Sequence, residues 1–136
     1  ISAFGEHVIA SEVEKSLKLA LEKQPFEVIE FCVVQQITLN KGLTFHEWWI
    51  EFKKPPSKSE VKKLSAALDY HMQSHNIYYK DLIEGKVLKE LEIIALKDGV
   101  FKKYMKSKGK LGGQNKLPRL SNDRTVVEEI VLKIKV

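Results

Sequence analysis

The sequence predicts an α+β domain, in which a small mixed or antiparallel sheet similar to a split βαβ unit has helices packed on it. Three observations lead to this prediction. Two segments have the apolar periodicity of amphipathic helices and begin at capping-box motifs. Two consecutive segments rich in β-branched and aromatic residues are joined by a short turn that contains glycine. Strands and helices are mixed along the chain, which is typical of a sandwich with helices on one face of the sheet.

The N-terminal region predicts a turn followed by a helix. Residues 4–9 are an apolar-flanked turn that would form a short strand or hairpin. Ser11 occupies an N-cap position, and Glu14 three residues later completes a capping box. Apolar residues then recur at helical spacing as far as Lys23, and Pro25 ends the predicted helix.

Two strands are predicted after this helix. Residues 27–39 have the composition of a buried strand, and 40–42 form a turn with glycine at its end. In residues 44–52 successive side chains would point to opposite faces of a strand, and the even-numbered side chains are predicted to face the core. Glu47 and Glu51 are predicted to lie on the outer face.

The rest of the chain predicts one long helix, several short ones and a third strand. Ser57 and Glu60 form a second capping box, and the helix that follows would run to about Ser74. The remaining predicted elements are a short helix within 76–87 that ends at Gly85, a strand at 88–96, a short helix at 100–106, and a helix that begins near 121–123, whose β-branched residues also fit a strand.

Composition restricts the class of protein. A chain of 136 residues with a net charge of +5 is one domain, long enough to bury a core. No apolar run approaches the roughly 20 residues of a membrane span. Cys32 is the only cysteine and lies in an apolar run, which predicts a buried, inert thiol and a cytoplasmic protein. The chain starts at Ile1 rather than Met, and we interpret it as a piece of a larger protein.

The segment from Lys108 to Arg124 is the least core-like part of the chain. It contains three glycines, one proline and five cationic residues. Long loops without secondary structure in compact domains are commonly functional. Lys116 and Arg119 would offer positive charge to an anion. From composition alone, a flexible basic surface loop explains the segment equally well.

The other candidate sites are weak. His71 and His75 have the i, i+4 spacing of metal ligands, but no third ligand is placed to complete a site, so we predict no metal site. His46 is expected to be a hydrogen-bonded core or sheet-edge histidine. The lysines of a run at 102–110 are expected to form a solvated face that also raises the local positive potential. The aromatic residues of 45–52 are expected in the core rather than in a platform for nucleic-acid bases.

Several short motifs, taken in order, resemble one family. They are Phe4-Gly5-Glu6-His7, the run His46 to Phe52, Asn76-x-x-Tyr79, Leu91-Glu92, Asp98-Gly99-x-Phe101 and Gly113-Gln114-x-Lys116-x-Pro118-Arg119. The chain is similar to the C-terminal domain of the auxin-responsive Gretchen-Hagen-type acyl-acid amido synthetases, in particular to their bacterial relatives. That family belongs to the adenylate-forming superfamily, together with firefly luciferase.

The resemblance implies a function for the whole protein. Residues 1–136 would be a single mobile cap domain, excised from the C-terminal end of a larger two-domain ligase. The N-terminal domain would bind ATP with Mg²⁺ and a carboxylic acid. The enzyme would form an acyl-adenylate and then transfer the acyl group to an amine such as an amino acid, while the small domain rotates between the two half-reactions. This fragment alone would bind no cofactor and have no activity.

The resemblance also implies roles for individual residues. Lys116 corresponds to the lysine that reaches the ATP phosphates, with Gln114 and Arg119 supporting the same loop. Gly5 and Glu6 correspond to the segment just after the hinge, which faces the active site in the second half-reaction.

Two departures from the plant pattern leave the substrates open. Plant members have an additional arginine where this chain has Leu82-Ile83, and the tail 125–136 extends beyond the plant pattern.

Two alternatives compete with the ligase interpretation. One is a stand-alone α+β module that uses the basic 108–124 loop to bind nucleic acid or another anionic partner. The other is a purely structural interaction domain.

Overall fold

The computed structural model describes residues 6–36, 44–109 and 117–133, and in this part of the chain four strands form one sheet in the order β3-β2-β1-β4. The elements are α1 (Ala10–Lys23), β1 (Val28–Gln36), β2 (Phe45–Phe52), α2 (Lys58–His75), α3 (Ile77–Glu84), β3 (Glu92–Leu96), α4 (Val100–Ser107), β4 (Leu120–Ser121) and α5 (Thr125–Lys133). β1 and β2 are antiparallel, whereas β3 runs parallel to β2 and β4 parallel to β1. The predicted α+β class with a small mixed sheet is confirmed.

Helices cover both faces of the sheet, so the prediction of helices on one face is wrong. Alternate residues of β1 and β2 point to opposite sides, and each side has its own apolar cluster. On one side Trp48 and Ile50 pack with residues of α1, α2 and α3. On the other side Cys32 and Trp49 pack with residues of α4 and α5.

The second helical layer also overturns the prediction that Glu47 and Glu51 face outwards. Their exposed fractions are 6% and 1%. The alternation of β2 correctly separates its two faces. It could not show that α4 and α5, which come about 50 to 80 residues later in the chain, fold back over the second face.

The helix ends show which capping signals form. The Ser57 hydroxyl accepts a hydrogen bond from the Glu60 amide at 3.2 Å, and the Glu60 carboxylate accepts one from the Ser57 amide at 2.8 Å, so the box before α2 is confirmed. The box predicted at Ser11 is wrong. α1 begins at Ala10, and the Glu12 carboxylate accepts a hydrogen bond from the Ile9 amide at 3.0 Å.

Other predicted boundaries change modestly. Residues 6–9 form no strand, and the rest of the predicted N-terminal hairpin lies outside the described residues, as does the turn at 40–42. The predicted strand at 88–96 is shorter, because Leu88 forms only an isolated bridge to Thr44 before β3 begins. The C-terminal segment is a helix, not a strand. None of the described helices is long and apolar enough to span a membrane.

Cys32 is fully buried, as predicted. Because of this burial, the free energy of unfolding is expected to fall at alkaline pH. Burial, with a smaller contribution from Glu30, raises the pKa of the thiol from 9.0 to about 12. The folded protein therefore keeps this proton where the unfolded chain loses it. The resulting stabilisation is complete below pH 9 and disappears as the pH rises from 9 towards 12.

We expect the free energy of unfolding contributed by Cys32 to fall by about 2 kcal/mol between pH 8 and pH 10.5. Urea unfolding of the wild type and of Cys32→Ala at pH 8, 9.5 and 10.5 measures this contribution as the difference between the two proteins. Tyrosines whose pKa does not depend on Cys32 are common to both proteins and cancel. A difference that stays constant with pH would contradict the assignment.

Candidate functional site

The segment from 110 to 116, which includes the predicted Gln114 and Lys116, lies outside the described residues, but both of its flanks are described. On the N-terminal side α4 ends at Ser107, and Lys108 forms an ion pair with Glu129 of α5 at 3.1 Å. On the C-terminal side Leu117 is buried in the second apolar cluster. Lys108 and Leu117, on either side of the segment, thus both contact the helical layer formed by α4 and α5.

Arg119 fastens the C-terminal flank to the edge of the sheet. Its backbone carbonyl accepts a hydrogen bond from the Val33 amide at 2.9 Å. Its guanidinium lies 3.1 Å from the Glu30 carboxylate and 3.4 Å from that of Glu14, and it stacks 5.2 Å from the centre of the Phe31 ring. The side chain is 46% exposed, which suits an anchor at the surface.

Arg124 makes a second anchor, in which Glu47 takes part. The Arg124 guanidinium donates hydrogen bonds to the Gln35 carbonyl at 2.7 Å and to the Glu47 carboxylate at 3.1 Å. The same carboxylate accepts a hydrogen bond from the indole nitrogen of Trp49 at 2.7 Å. These contacts explain how Glu47 can be buried. Sequence reasoning missed the contacts of Arg124 because its partners lie more than 70 residues away in the chain.

The predicted loop 108–124 is therefore structured beyond residue 116, where β4 pairs with β1 and two arginines are fixed. This bears on the nucleic-acid alternative. Of its five cations, Lys108, Arg119 and Arg124 are paired with carboxylates, and Lys110 and Lys116 lie outside the described residues. Paired cations contribute little net charge to a phosphate backbone.

Glu51 holds the start of α4. Its carboxylate accepts hydrogen bonds from the amides of Gly99 and Phe101, each at 2.9 Å. A negative charge at this end of the helix also interacts favourably with the helix dipole. Gly99 has a φ of 96°, a conformation that other residues adopt only with strain.

Replacing Glu51 with alanine is expected to lower the free energy of unfolding by about 2 to 3 kcal/mol, because two amide donors lose a buried acceptor. Chemical denaturation of the variant measures the loss. Glu22→Ala, a change at an exposed position of α1, is the matched control and should change stability by less than about 0.5 kcal/mol. Equal effects of the two substitutions would show that Glu51 does not hold α4.

A buried polar network joins Glu6 to the centre of the domain. The Glu6 carboxylate lies 2.8 Å from Nε2 of His46, and both side chains are almost completely buried. The Asn76 side-chain amide donates hydrogen bonds to the Glu6 carbonyl at 2.8 Å and to the Glu12 carboxylate at 3.1 Å. The expectation of a hydrogen-bonded core histidine at His46 is confirmed. The Glu6 carboxylate points into the core, and Gly5 lies outside the described residues.

The network continues through Tyr79 and Asp69. Oδ1 of Asn76 accepts a hydrogen bond from the Tyr79 amide at 2.9 Å. The Tyr79 hydroxyl donates to Asp69 at 2.5 Å, and the Leu91 amide donates to the same carboxylate at 3.2 Å. Burial first, and then the adjacent carboxylate, raises the pKa of Tyr79 well above its usual value. Four separate motifs of the sequence thus meet in one buried network, where they hold the fold together.

The described residues contain no group of three or more His, Cys, Asp or Glu that could hold a metal ion. His75 is hydrogen-bonded through Nδ1 to the His71 carbonyl at 2.7 Å. Burial, followed by the charge of His75, lowers the pKa of His71. These contacts explain the two histidines as structural residues at the C-terminal end of α2.

A mixed four-stranded sheet with helices on both faces and a polar network around the N-terminal segment defines an α+β domain. The chain belongs to the GH3 family: the model of the GH3 family C-terminal domain matches residues 9–125.

Two solved structures are similar in fold. A GH3.15 acyl acid amido synthetase aligns with a TM-score of 0.77 and 16% identity, over 97% of this chain and 26% of its own. AtGH3.15 acyl acid amido synthetase in complex with 2,4-DB aligns with a TM-score of 0.76 and 16% identity, over 97% of this chain and 25% of its own. No curated protein matches. The chain therefore spans about a quarter of the length of the solved structures it matches.

Proposed function

We propose that this chain is the mobile C-terminal domain of an ATP-dependent ligase that joins a carboxylic acid to an amine, such as an amino acid. The observation that carries the proposal is membership of the GH3 family through a C-terminal-domain model that matches residues 9–125. The fold similarity to an acyl acid amido synthetase over 97% of the chain supports it.

The proposal requires an N-terminal domain that binds ATP and the acid. The acid carboxylate would attack the α-phosphate of ATP, forming an acyl-adenylate and releasing pyrophosphate. An amine would then attack the acyl carbon, forming the amide and releasing AMP. Mg²⁺ commonly accompanies ATP in such reactions. The described residues contain no suitable group of ligands, so we assign them no Mg²⁺ site and no step that depends on the metal.

Within this domain we assign the adenylation step to Lys116. Its ammonium group would stabilise the negative charge that develops on the α-phosphate and on the departing pyrophosphate. The anchored flanks support this assignment. Leu117 is buried immediately after Lys116, and Arg119 is fixed by two carboxylates, so the lysine would be presented from a defined base. We propose that Gln114 and Arg119 support this loop. Arg119 would do so by fixing the C-terminal flank of the loop to the edge of the sheet.

The buried contacts of Glu6 suggest where the domain would rotate. Glu6 is held by His46 through its side chain and by Asn76 through its backbone carbonyl, so it would move with this domain as one body. We therefore propose that the hinge lies at Gly5 or before it. Glu6 would act as the first fixed point after the hinge, and its backbone, not its carboxylate, would border the active site during amide formation.

The proposal can be tested on the full-length protein that contains this chain. Incubation with ATP, a panel of carboxylic acids and a mixture of amino acids, followed by mass spectrometry, should detect an acyl amide and AMP. A truncated protein that lacks residues 1–136 should form no amide. Full amide formation by the truncated protein, or none by the full-length protein with any acid, would overturn the proposal.

A further inference from the structure

Four lysines line a cavity of about 330 Å³ at the start of α4: Lys97, Lys102, Lys103 and Lys106, together with Asp98, Gly99 and Val100. We call this feature the lysine cavity. We propose that the lysine cavity binds the phosphate chain of a di- or triphosphate. The site consists only of described residues outside the 110–116 segment, and the inference does not depend on the proposed ligase function.

The lysines of the cavity lack the carboxylate partners that neighbouring cations have. Lys108 is paired with Glu129, and Asp98, which also lines the cavity, is paired with Lys53 at 3.1 Å. None of the four cavity lysines forms an ion pair with another described residue. The four lysines thus outnumber the single carboxylate of the lining, and that carboxylate is already paired with Lys53.

This arrangement disfavours the isolated helix. α4 contains no acidic residue, and Lys102 and Lys106 lie at i, i+4, where like charges repel. Lys102 and Lys103 also lie near the N-terminal end of the helix, where the dipole disfavours cations. A bound anion would remove both effects, so the local electrostatics favour a ligand that carries several negative charges.

The lining points to a phosphate chain rather than to a whole nucleotide. Phe101 and Tyr104 of α4 are 3% and 5% exposed, so neither ring offers a face on which a base could stack. The volume lies at the lower end of the range for small-molecule sites. The ammonium group of lysine is a compact, strongly hydrated cation that binds phosphate as a point charge and needs no fixed bidentate geometry.

The start of α4 itself is not the binding group. The amides of Gly99 and Phe101 already donate to the Glu51 carboxylate, which leaves recognition to the lysine side chains. This makes the charge of the four lysines the property to test.

Isothermal titration calorimetry of the 136-residue chain with sodium tripolyphosphate, pyrophosphate and ATP, in magnesium-free buffer, tests the proposal. Lys102→Gln/Lys106→Gln is expected to weaken tripolyphosphate binding about tenfold, since two charge contacts are lost. The matched control is Lys62→Gln/Lys63→Gln. It makes the same charge change at exposed positions of α2 and should weaken binding less than about twofold. Circular dichroism checks that both variants fold.

The ATP arm distinguishes the source of the phosphate chain. Equal affinities for ATP and tripolyphosphate would identify the phosphate chain alone as the ligand, and tighter binding of ATP would contradict the proposal that the site recognises only this chain. Three other results would overturn the proposal: no binding of any of the three probes, an equal loss in both double variants, or a loss in Lys116→Gln without one in Lys102→Gln/Lys106→Gln. The last result would place the phosphate in the 110–116 segment.

Discussion

In the full-length ligase that we propose, Lys116→Ala is expected to lower acid-dependent exchange between ATP and pyrophosphate by about a hundredfold or more. That is the scale for losing one group that stabilises charge in the transition state. Exchange of radioactive pyrophosphate into ATP measures the adenylation half-reaction by itself. The transfer of a preformed acyl-adenylate to the amine should change much less, because Lys116 is proposed to act before the domain rotates.

Lys108→Ala is the matched control for this effect. Lys108 belongs to the same basic stretch but is paired with Glu129, so its loss should change exchange less than about threefold. If Lys116→Ala and Lys108→Ala had the same effect, the loop would contribute only general positive charge. Unchanged exchange in Lys116→Ala would show that another residue stabilises the phosphates.

The second large effect is expected in the buried network. Asp69→Ala should lower the free energy of unfolding by about 3 to 5 kcal/mol, since the Tyr79 hydroxyl and the Leu91 amide both lose their acceptor. Asp69 is only 3% exposed, so water cannot easily replace the carboxylate. Urea denaturation of the 136-residue chain measures the loss.

Two variants make this prediction specific. Tyr79→Phe removes one hydrogen bond and should cost about 1 to 2 kcal/mol, and Asp81→Ala at an exposed position of α3 should cost less than about 0.5 kcal/mol. A loss below about 1 kcal/mol in Asp69→Ala would mean that the network does not stabilise the fold. The Asn-x-x-Tyr motif would then need a different explanation.

Local signals in the sequence predicted most of the elements. The capping box at Ser57 and the apolar periodicity located α2 well, because the residues that decide a helix start are adjacent in the chain. The alternation of 44–52 located β2 and separated its two faces. At α1 the prediction of the cap failed by two residues, since Glu12 competes with Glu14 for the same role and Glu14 contacts Arg119 instead.

Contacts between distant residues could not be predicted in this way. The burial of Glu47 depends on Arg124, and that of Glu51 on the start of α4. β4 is only two residues long and carries no strand signal of its own, since its pairing with β1 defines it. The lysine run at 102–110 is predicted to be a solvated face that also raises the local positive potential. In the structure Lys108 is paired, whereas Lys102, Lys103 and Lys106 line a cavity.

The sequence motifs did not separate residues that support the fold from residues that could perform chemistry. Sequence motifs indicate a family, but they do not show which residues of a motif perform chemistry and which support the fold. His46, Asn76 and Tyr79 belong to motifs of the resemblance, and the structure shows each of them in internal hydrogen bonds or ring contacts. Lys116 and Gln114 lie outside the described residues, and their roles stay predictions.

Acid-dependent exchange between ATP and pyrophosphate in the full-length protein tests the central claim most directly. We predict that exchange requires both the carboxylic acid and Lys116, and that it falls to background when either is removed. Exchange that proceeds equally well without an acid, or a protein that shows no exchange with any acid tested, would contradict the assignment of this chain to an acyl-adenylating ligase.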